Sequence, residues 1–357
     1  MKRGFGITFV VIALCFCVCS SFTPGANNEH VPHPYSFSYY PPAFGQPNIP
    51  ADNPMTIEGI WLGRLLFYDS LLSINNNQSC ASCHQQNMAF TDGRKLAVGT
   101  NGDVNKFNTM SLVNLVFEHD FFWDGRAKSL EEQVPQPITN PTEMGLSENE
   151  LVRRLKTHRY YPQLFEQAFP NDSICMRTVS KAVSQFLRTI ISSGLSFPDY
   201  IEPKRMAHNQ PDTAYMNIHR KELSIPGAIY RMSYACLGCH NTGTYGGGMA
   251  NNEVAHDSVF KVPSLINITL TAPYMHDGRF KALKDVLLHY KEHLSNLQAK
   301  NPKIVFPAPI TDKITDFDIE HADEIFQYFT DSTVITKTAY SNPFRQNSFS
   351  WLIPSTN

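Results

Sequence analysis

Two pentapeptides constrain this chain more than anything else in it: Cys80-Ala-Ser-Cys83-His84 and Cys236-Leu-Gly-Cys239-His240. Both are C-x-x-C-H. At that spacing two thiols reach the two vinyl groups of one porphyrin, and the His that follows lies under the iron. A shuffled chain with 8 Cys and 13 His in 357 residues would hold about 0.006 such motifs, so two are not accidental. Other uses of four cysteines fit less well. Residues 84–235 separate the pairs, whereas a zinc ribbon uses about 15–20. A thioredoxin-like pair wants one motif in a βαβ context, without the following His. Structural disulfides rarely close so small a loop. Two covalent haems are therefore expected, with His84 and His240 as iron ligands.

The rest of the composition allows this. Apolar residues at 42% supply a core, and 30 Lys+Arg against 32 Asp+Glu leave a net charge of −2. Nothing in that balance points to nucleic acid or an anionic membrane surface. With Gly 19 and Pro 24 the chain is not fibrous, though the prolines suit a loop-rich fold. Lys2 and Arg3, an apolar run from Phe5 to Val18 and small residues from Cys19 to Ser21 have the layout of a secretory signal over 1–22. Cys19 is a candidate lipid attachment point, and a retained anchor helix is the alternative. Covalent haem attachment requires export, so a periplasmic location is expected. Beyond the three cysteines of that segment, only Cys175 stands outside the two motifs, as a buried free thiol on an amphipathic helix.

Helical periodicity dominates, and no run alternates like a strand. Thr56–Tyr68 places Ile57, Trp61, Leu65 and Tyr68 near one stripe. Ser147 to Glu150 and Thr315 to Asp318 read as capping boxes. Ser173–Ser192 is an amphipathic helix, and Leu283, Val286, Leu287 and Tyr290 follow a helical period. The polar stretch 197–213 is the best linker. The fold class expected is all-α and loop-rich, with two cytochrome c-like domains of one haem each: 45–200, 210–300, and a segment 301–357 packing back on both.

Several further stretches resemble the bacterial dihaem cytochrome c peroxidase family, which includes the MauG-like enzymes. They are Leu66-Phe-Tyr-Asp69, Ala89-Phe-Thr-Asp-Gly93, Phe121-Phe-Trp-Asp-Gly-Arg126, Leu130-Glu-Glu-Gln133 and Asn140-Pro-Thr-Glu-Met144. Around the second motif stand Pro263-Ser-Leu-Ile-Asn267 and Leu270-Thr-Ala-Pro-Tyr-Met-His-Asp-Gly278. The resemblance implies a peroxide-reacting haem on His84 and an electron-entry haem on His240. It implies Trp123 between them, and Gln133 with Glu143 in the distal pocket. Asn108, Thr271 and Pro273 match the ligands of an inter-haem Ca2+. The family's sixth ligand to the second iron falls on Tyr290, with Met275 and His289 competing. Implied partners are hydrogen peroxide, a small cytochrome c or cupredoxin donor, and a second copy of the chain.

The chemistry agrees: heterolysis of peroxide needs an open iron and a base that moves a proton between the two oxygens. Calcium takes oxygen ligands in irregular geometry, which suits an Asn and carbonyls. Without the resemblance, Trp123 is equally a core residue, Gln133 a helix-turn residue, and Glu143 a solvated carboxylate. This chain departs from many relatives in having no His in residues 85–118 to cap the first iron; His119 is the next. Three functions are compatible: a peroxidase, an oxidase of amino-acid side chains on a partner protein, and a dihaem electron carrier.

Overall fold

The computed structural model describes residues 30–193, 223–236, 239–240, 244, 246–251, 258–301 and 314–345. The segment 1–22 and the linker 197–213 lie outside them. Among the described residues helices and loops dominate, and the strands are two-residue pieces, β1 (Met249–Ala250) and β2 (Phe260–Lys261), paired antiparallel.

Helix α1 (Ile57–Tyr68) starts where the Thr56 hydroxyl accepts the Gly59 N–H at 3.1 Å. It packs on the long helix Met176–Arg188, and the expected stripe is only part of that face: Leu65 is buried and the Tyr68 ring lies 6.5 Å from that of Phe186. Ile57 is 50% exposed. The contact is made by Gly59 and Gly63: a Cβ on Gly63 would stand 1.9 Å from the Ala182 carbonyl oxygen, and one on Gly59 2.2 Å from Gln185 Oε1. Small residues admit the neighbouring backbone, so the buried face rotates to Gly59, Leu62, Gly63 and Leu66. Apolar periodicity counts bulk and misses a contact built from its absence.

Two hydrophobic cores result. The first gathers Leu62, Phe67, Phe90, Leu130, Ile138, Tyr161, Phe165 and Phe186; the second Ile229, Leu265, Leu283, Leu287, Ile325 and Phe326. Each borrows from the other end of the chain. Phe44, Val116 and Phe117 belong to the second core, and Val334 and Tyr340 to the first. Arg64 holds the carbonyls of Ser341 and Thr338, both at 2.8 Å, and the Gln86 amide holds that of Lys337 at 2.8 Å.

Caps decide where helices begin. Thr315 and Asp318 form the expected reciprocal box. At Ser147 the cap runs one way: its hydroxyl accepts the Glu150 N–H, while the Glu150 carboxylate turns to Arg153 and Arg154 at 2.7 and 2.8 Å. Cys175 is half-buried and stands at the N-cap of Met176–Arg188, not inside the helix. Although burial works the other way, hydrogen bonds with Thr178 hold its thiol below the usual range.

The two halves also share a pattern. Residues 107–131 and 260–284 run in parallel at a constant offset, from Phe107/Phe260 through Asn114/Asn267 and Trp123/His276 to Leu130/Leu283. Asn114 and Asn267 both take φ 63°, each opening a 3-10 turn. Phe122 and Met275 are left-handed at 65° and 72°, and Gly125 and Gly278 at 64° and 60°. Asp124 pairs with Arg126 as Asp277 does with Arg279. The repeats then clasp each other: Asn108 N–H donates to the His276 carbonyl at 2.8 Å, and its counterpart Lys261 to the Trp123 carbonyl at 2.8 Å. Such an exchange is that of a local two-fold axis.

Candidate functional site

One cavity of about 800 Å³ is lined by all six residues Cys80, Cys83, His84, Cys236, Cys239 and His240. The first motif is a single helical turn, α2 (Cys80–Cys83), closed by a reciprocal Ser79–Ser82 cap. After it Ala89 and Phe90 take φ 49° and 63°. That tight turn returns the Phe90 carbonyl to His84 Nδ1 at 3.0 Å. The second motif ends the helix Ile225–Cys236, and His240 Nδ1 meets the Pro263 carbonyl at 2.9 Å. A backbone carbonyl on Nδ1 fixes the tautomer and presents Nε2 as the metal-binding atom. Burial lowers the His84 pKa and keeps its ring neutral, as ligation requires.

The four thiols form no disulfide. Burial pushes Cys80 and Cys236 up to about 12, and Cys83 and Cys239 up to about 11. Among the described residues no three His, Cys, Asp or Glu side chains converge as a metal cluster, so the two pairs do not share a zinc. Paired neutral thiols beside an oriented imidazole, on a largely apolar wall, fit one porphyrin in each half.

The same cavity wall carries Gln133, Glu143, Arg126 and Pro137, and the Glu143 carboxylate lies close enough to Cys83 to help raise its thiol. Gln133 ends α3 (Leu130–Gln133), whose cap is Ser129. Glu143 sits in the turn Asn140–Gly145, where Gly145 takes φ 65°. Its carbonyl accepts the Thr100 N–H at 2.7 Å. Gly99 has to be glycine there, since a Cβ would lie 2.0 Å from the Thr142 carbonyl oxygen. Burial raises the Glu143 pKa, and the Arg126 charge and Asn140 amide offset part of that rise. Glu143 is half-buried, not a fully solvated surface carboxylate.

Trp123 is 7% exposed, and its indole N–H donates to the Asn108 carbonyl at 2.8 Å. Asn108 also gives its amide N–H to the Arg94 carbonyl at 2.8 Å, which leaves the side-chain oxygen as the acceptor end. Asn108, Thr271 and Pro273 share this wall, a donor set of the kind calcium takes.

Over the second motif stand Tyr290 and Met275, with the phenol oxygen 4.0 Å from the thioether sulfur. Burial, and then the two nearby thiols, push the phenol pKa well above its ordinary value. His289 packs on Phe280, Tyr290 and His293 and does not line the cavity. His119 is exposed, bonded to the Asn48 amide at 3.3 Å. Of the methionines in the loop 85–118, Met110 lines the cavity and Met88 does not. Among the described residues His84 and His240 are the imidazoles on the wall. Sequence reasoning missed Glu118, Lys261 and His276, all at the clasp. The repeat of 107–131 in 260–284 was the signal that could have found them.

Residues 57–205 match the family described as di-haem cytochrome c peroxidase. A methylamine utilization protein MauG of Methylorubrum extorquens is 34% identical over 260 residues, covering 68% of this chain and 70% of the relative. The cytochrome c551 peroxidase of Nitrosomonas europaea is 30% identical over 261 residues, covering 67% and 74%. Among solved structures, a MauG-like protein associated with microbial copper homeostasis superposes with TM-score 0.67 at 25% identity, over 87% of this chain and 100% of that one. A diheme peroxidase of Burkholderia thailandensis gives 0.56 at 17%, over 81% and 90%, a likeness of fold.

Proposed function

The chain belongs to the bacterial dihaem cytochrome c peroxidase and MauG family, and on that footing we propose that it reduces hydrogen peroxide to water with electrons from a small cytochrome c or cupredoxin. What supports this is that Glu143 and Gln133 line the same cavity as both C-x-x-C-H motifs, with Glu143 close enough to Cys83 to act on its thiol. Covalent haem c on each motif would supply an iron that binds peroxide in the first half and an iron that receives electrons in the second.

The protein's own part follows from its side chains. Gln133 offers an amide to hold peroxide by hydrogen bonds. Glu143 takes the proton from the near oxygen and returns it to the far one, which leaves as water. A buried carboxyl with a raised pKa suits both steps, because it neither holds the proton too weakly nor refuses to release it. Trp123, whose backbone carbonyl accepts the Lys261 N–H of the second half and whose indole N–H donates to the Asn108 carbonyl of its own half, holds an aromatic ring at the junction. Asn108, with the carbonyls of Thr271 and Pro273, would hold a Ca2+ beside it. The halves then correspond to residues 45–200 and 210–300, with 301–357 returning to both.

Export to the periplasm by the signal over 1–22, with cleavage ahead of Cys19 where that residue carries a lipid, and a homodimer complete the reading. A second reading, oxidation of a side chain on a partner protein, draws on Tyr290: a phenolate favours ferric and higher oxidation states more than a thioether does. A pure electron carrier would have no use for Glu143 and Gln133. The deciding measurement is steady-state peroxide turnover with reduced cytochrome c, with and without pre-reduction, on protein that retains two haems per chain after denaturation and acid-acetone extraction. Turnover supports the reading. Absence of turnover, or one extractable haem, overturns it.

A further inference from the structure

The repeat gives every residue at the junction a counterpart, and two of the counterparts are charged. Asn108 corresponds to Lys261, and Thr271 to Glu118. Asn108 and Thr271 are the positions read above as calcium ligands, and the inference rests on that reading. The related positions hold an ion pair: Lys261 Nζ lies 3.1 Å from Glu118 Oε2, with side chains 5% and 8% exposed. Thr244 donates its hydroxyl to the other carboxylate oxygen at 3.1 Å. The ammonium stands 5.5 Å from the centroid of the Phe121 ring, two residues before Trp123. Both charged side chains line the cavity. Desolvating two charges consumes most of what their attraction returns, so such a pair is a poor stabiliser. It is a good means of fixing a positive charge at one point. The lysine also carries the backbone N–H that holds the Trp123 carbonyl at 2.8 Å.

We propose that the Lys261 ammonium does on its side of the junction what a calcium ion does at Asn108: one cation on each side of the local two-fold, one exchangeable and one covalent. Glu118 holds it, and the two act as positioning residues for the Trp123 segment.

Lys261→Asn places the donor of position 108 opposite a carboxylate. This variant should bind one more calcium per chain than the parent protein, counted by elemental analysis after desalting. Adding Glu118→Gln to it should remove the extra ion. The parent's own count reports on the Asn108 reading, and the increment alone reports on Lys261, so the two can fail separately. No increment overturns the proposal. Where Lys261→Asn does not accumulate as holoprotein, Lys261→Met and Lys261→Arg decide. In calcium-free buffer the methionine variant should exchange electrons between the haems about tenfold more slowly than the parent, through a displaced Trp123, and the arginine variant at the parent's rate. Equal rates in Met and Arg variants overturn the assignment.

Discussion

The first half and the second half are built on one pattern and diverge where the distal side of each motif is made. After Leu283 the second half continues as one helix to Lys300, and Tyr290 reaches the cavity from its second turn. After Leu130 the first half manages only the turn to Gln133 before Pro135 starts a new short helix, Pro135–Thr139. A proline has no N–H for the preceding turn and clashes with its carbonyl, so the helix cannot run on unchanged. By the repeat, Pro137 stands where Tyr290 stands, and its ring offers an iron no donor atom. On the proposed reading, one side is equipped to close a coordination shell through Tyr290 and the other, with Gln133 and Glu143 on its wall, to leave it open. Asymmetry of function comes from a few substitutions on a symmetric frame.

The comparison breaks most decisively at Glu143. Glu143→Gln should lower peroxide turnover by about 10²-fold or more while leaving the spectra of both haems intact. An unchanged rate would take the carboxylate out of the mechanism. Because burial raises its pKa, the base should be lost as pH falls through a value above the ordinary carboxylate range, and the glutamine variant should lack that acid limb. The same sign governs stability. A carboxyl with a raised folded pKa favours the folded state at low pH, and that contribution disappears as pH rises through the raised value.

Next in size is the junction. Trp123→Ala should slow electron flow between the halves by about tenfold without preventing peroxide from binding the first haem. Equal inter-haem rates would reduce the indole to packing. The open-versus-closed contrast can be sharpened by EPR of the resting ferric protein. A high-spin first haem and a low-spin second are expected, with stopped-flow peroxide reaction that needs no pre-reduction. Two low-spin signals with a reductant-dependent lag would mean a cap on the first iron. The scaffold gives a smaller effect: Gly63→Ala should cost about 1–3 kcal/mol by overpacking α1 on Ala182, read as a lower Tm. The smallest is none at all. His119→Ala should leave the first haem's spectrum unchanged, since this imidazole is exposed and off the cavity wall.

Much of this was legible in the chain because covalent and capping chemistry is local. The C-x-x-C-H motifs, the Thr315 cap and the helix bearing Tyr290 declare themselves within a few residues. What was not legible depends on distant partners. The face of α1 is set by Ala182 and Gln185, more than a hundred residues away, and glycines give no apolar signal. Cys175 looked like core because its segment is apolar on one side, yet its place at the cap depends on where the helix starts. Glu118 and Lys261, far apart in the chain, carry no local signal and are brought together only by the fold. The likeness of 107–131 to 260–284 is there in the letters, but His for Trp and Lys for Asn disguise it at the positions that matter most.

The segment 334–340 is part of the first core. Val334 and Tyr340 pack among its side chains, and Arg64 takes the carbonyl of Ser341, 277 residues later. Gln86, two residues past His84, takes that of Val334, 248 residues on, at 3.2 Å. A ribosome releases the first half long before those partners exist. Native contacts over such separations form late and close slowly. Until the contacts of 333–345 form, the first thiol pair thus belongs to an unfinished half. A chain cut before Thr333 would keep every residue of both motifs and still lack the strap over the first.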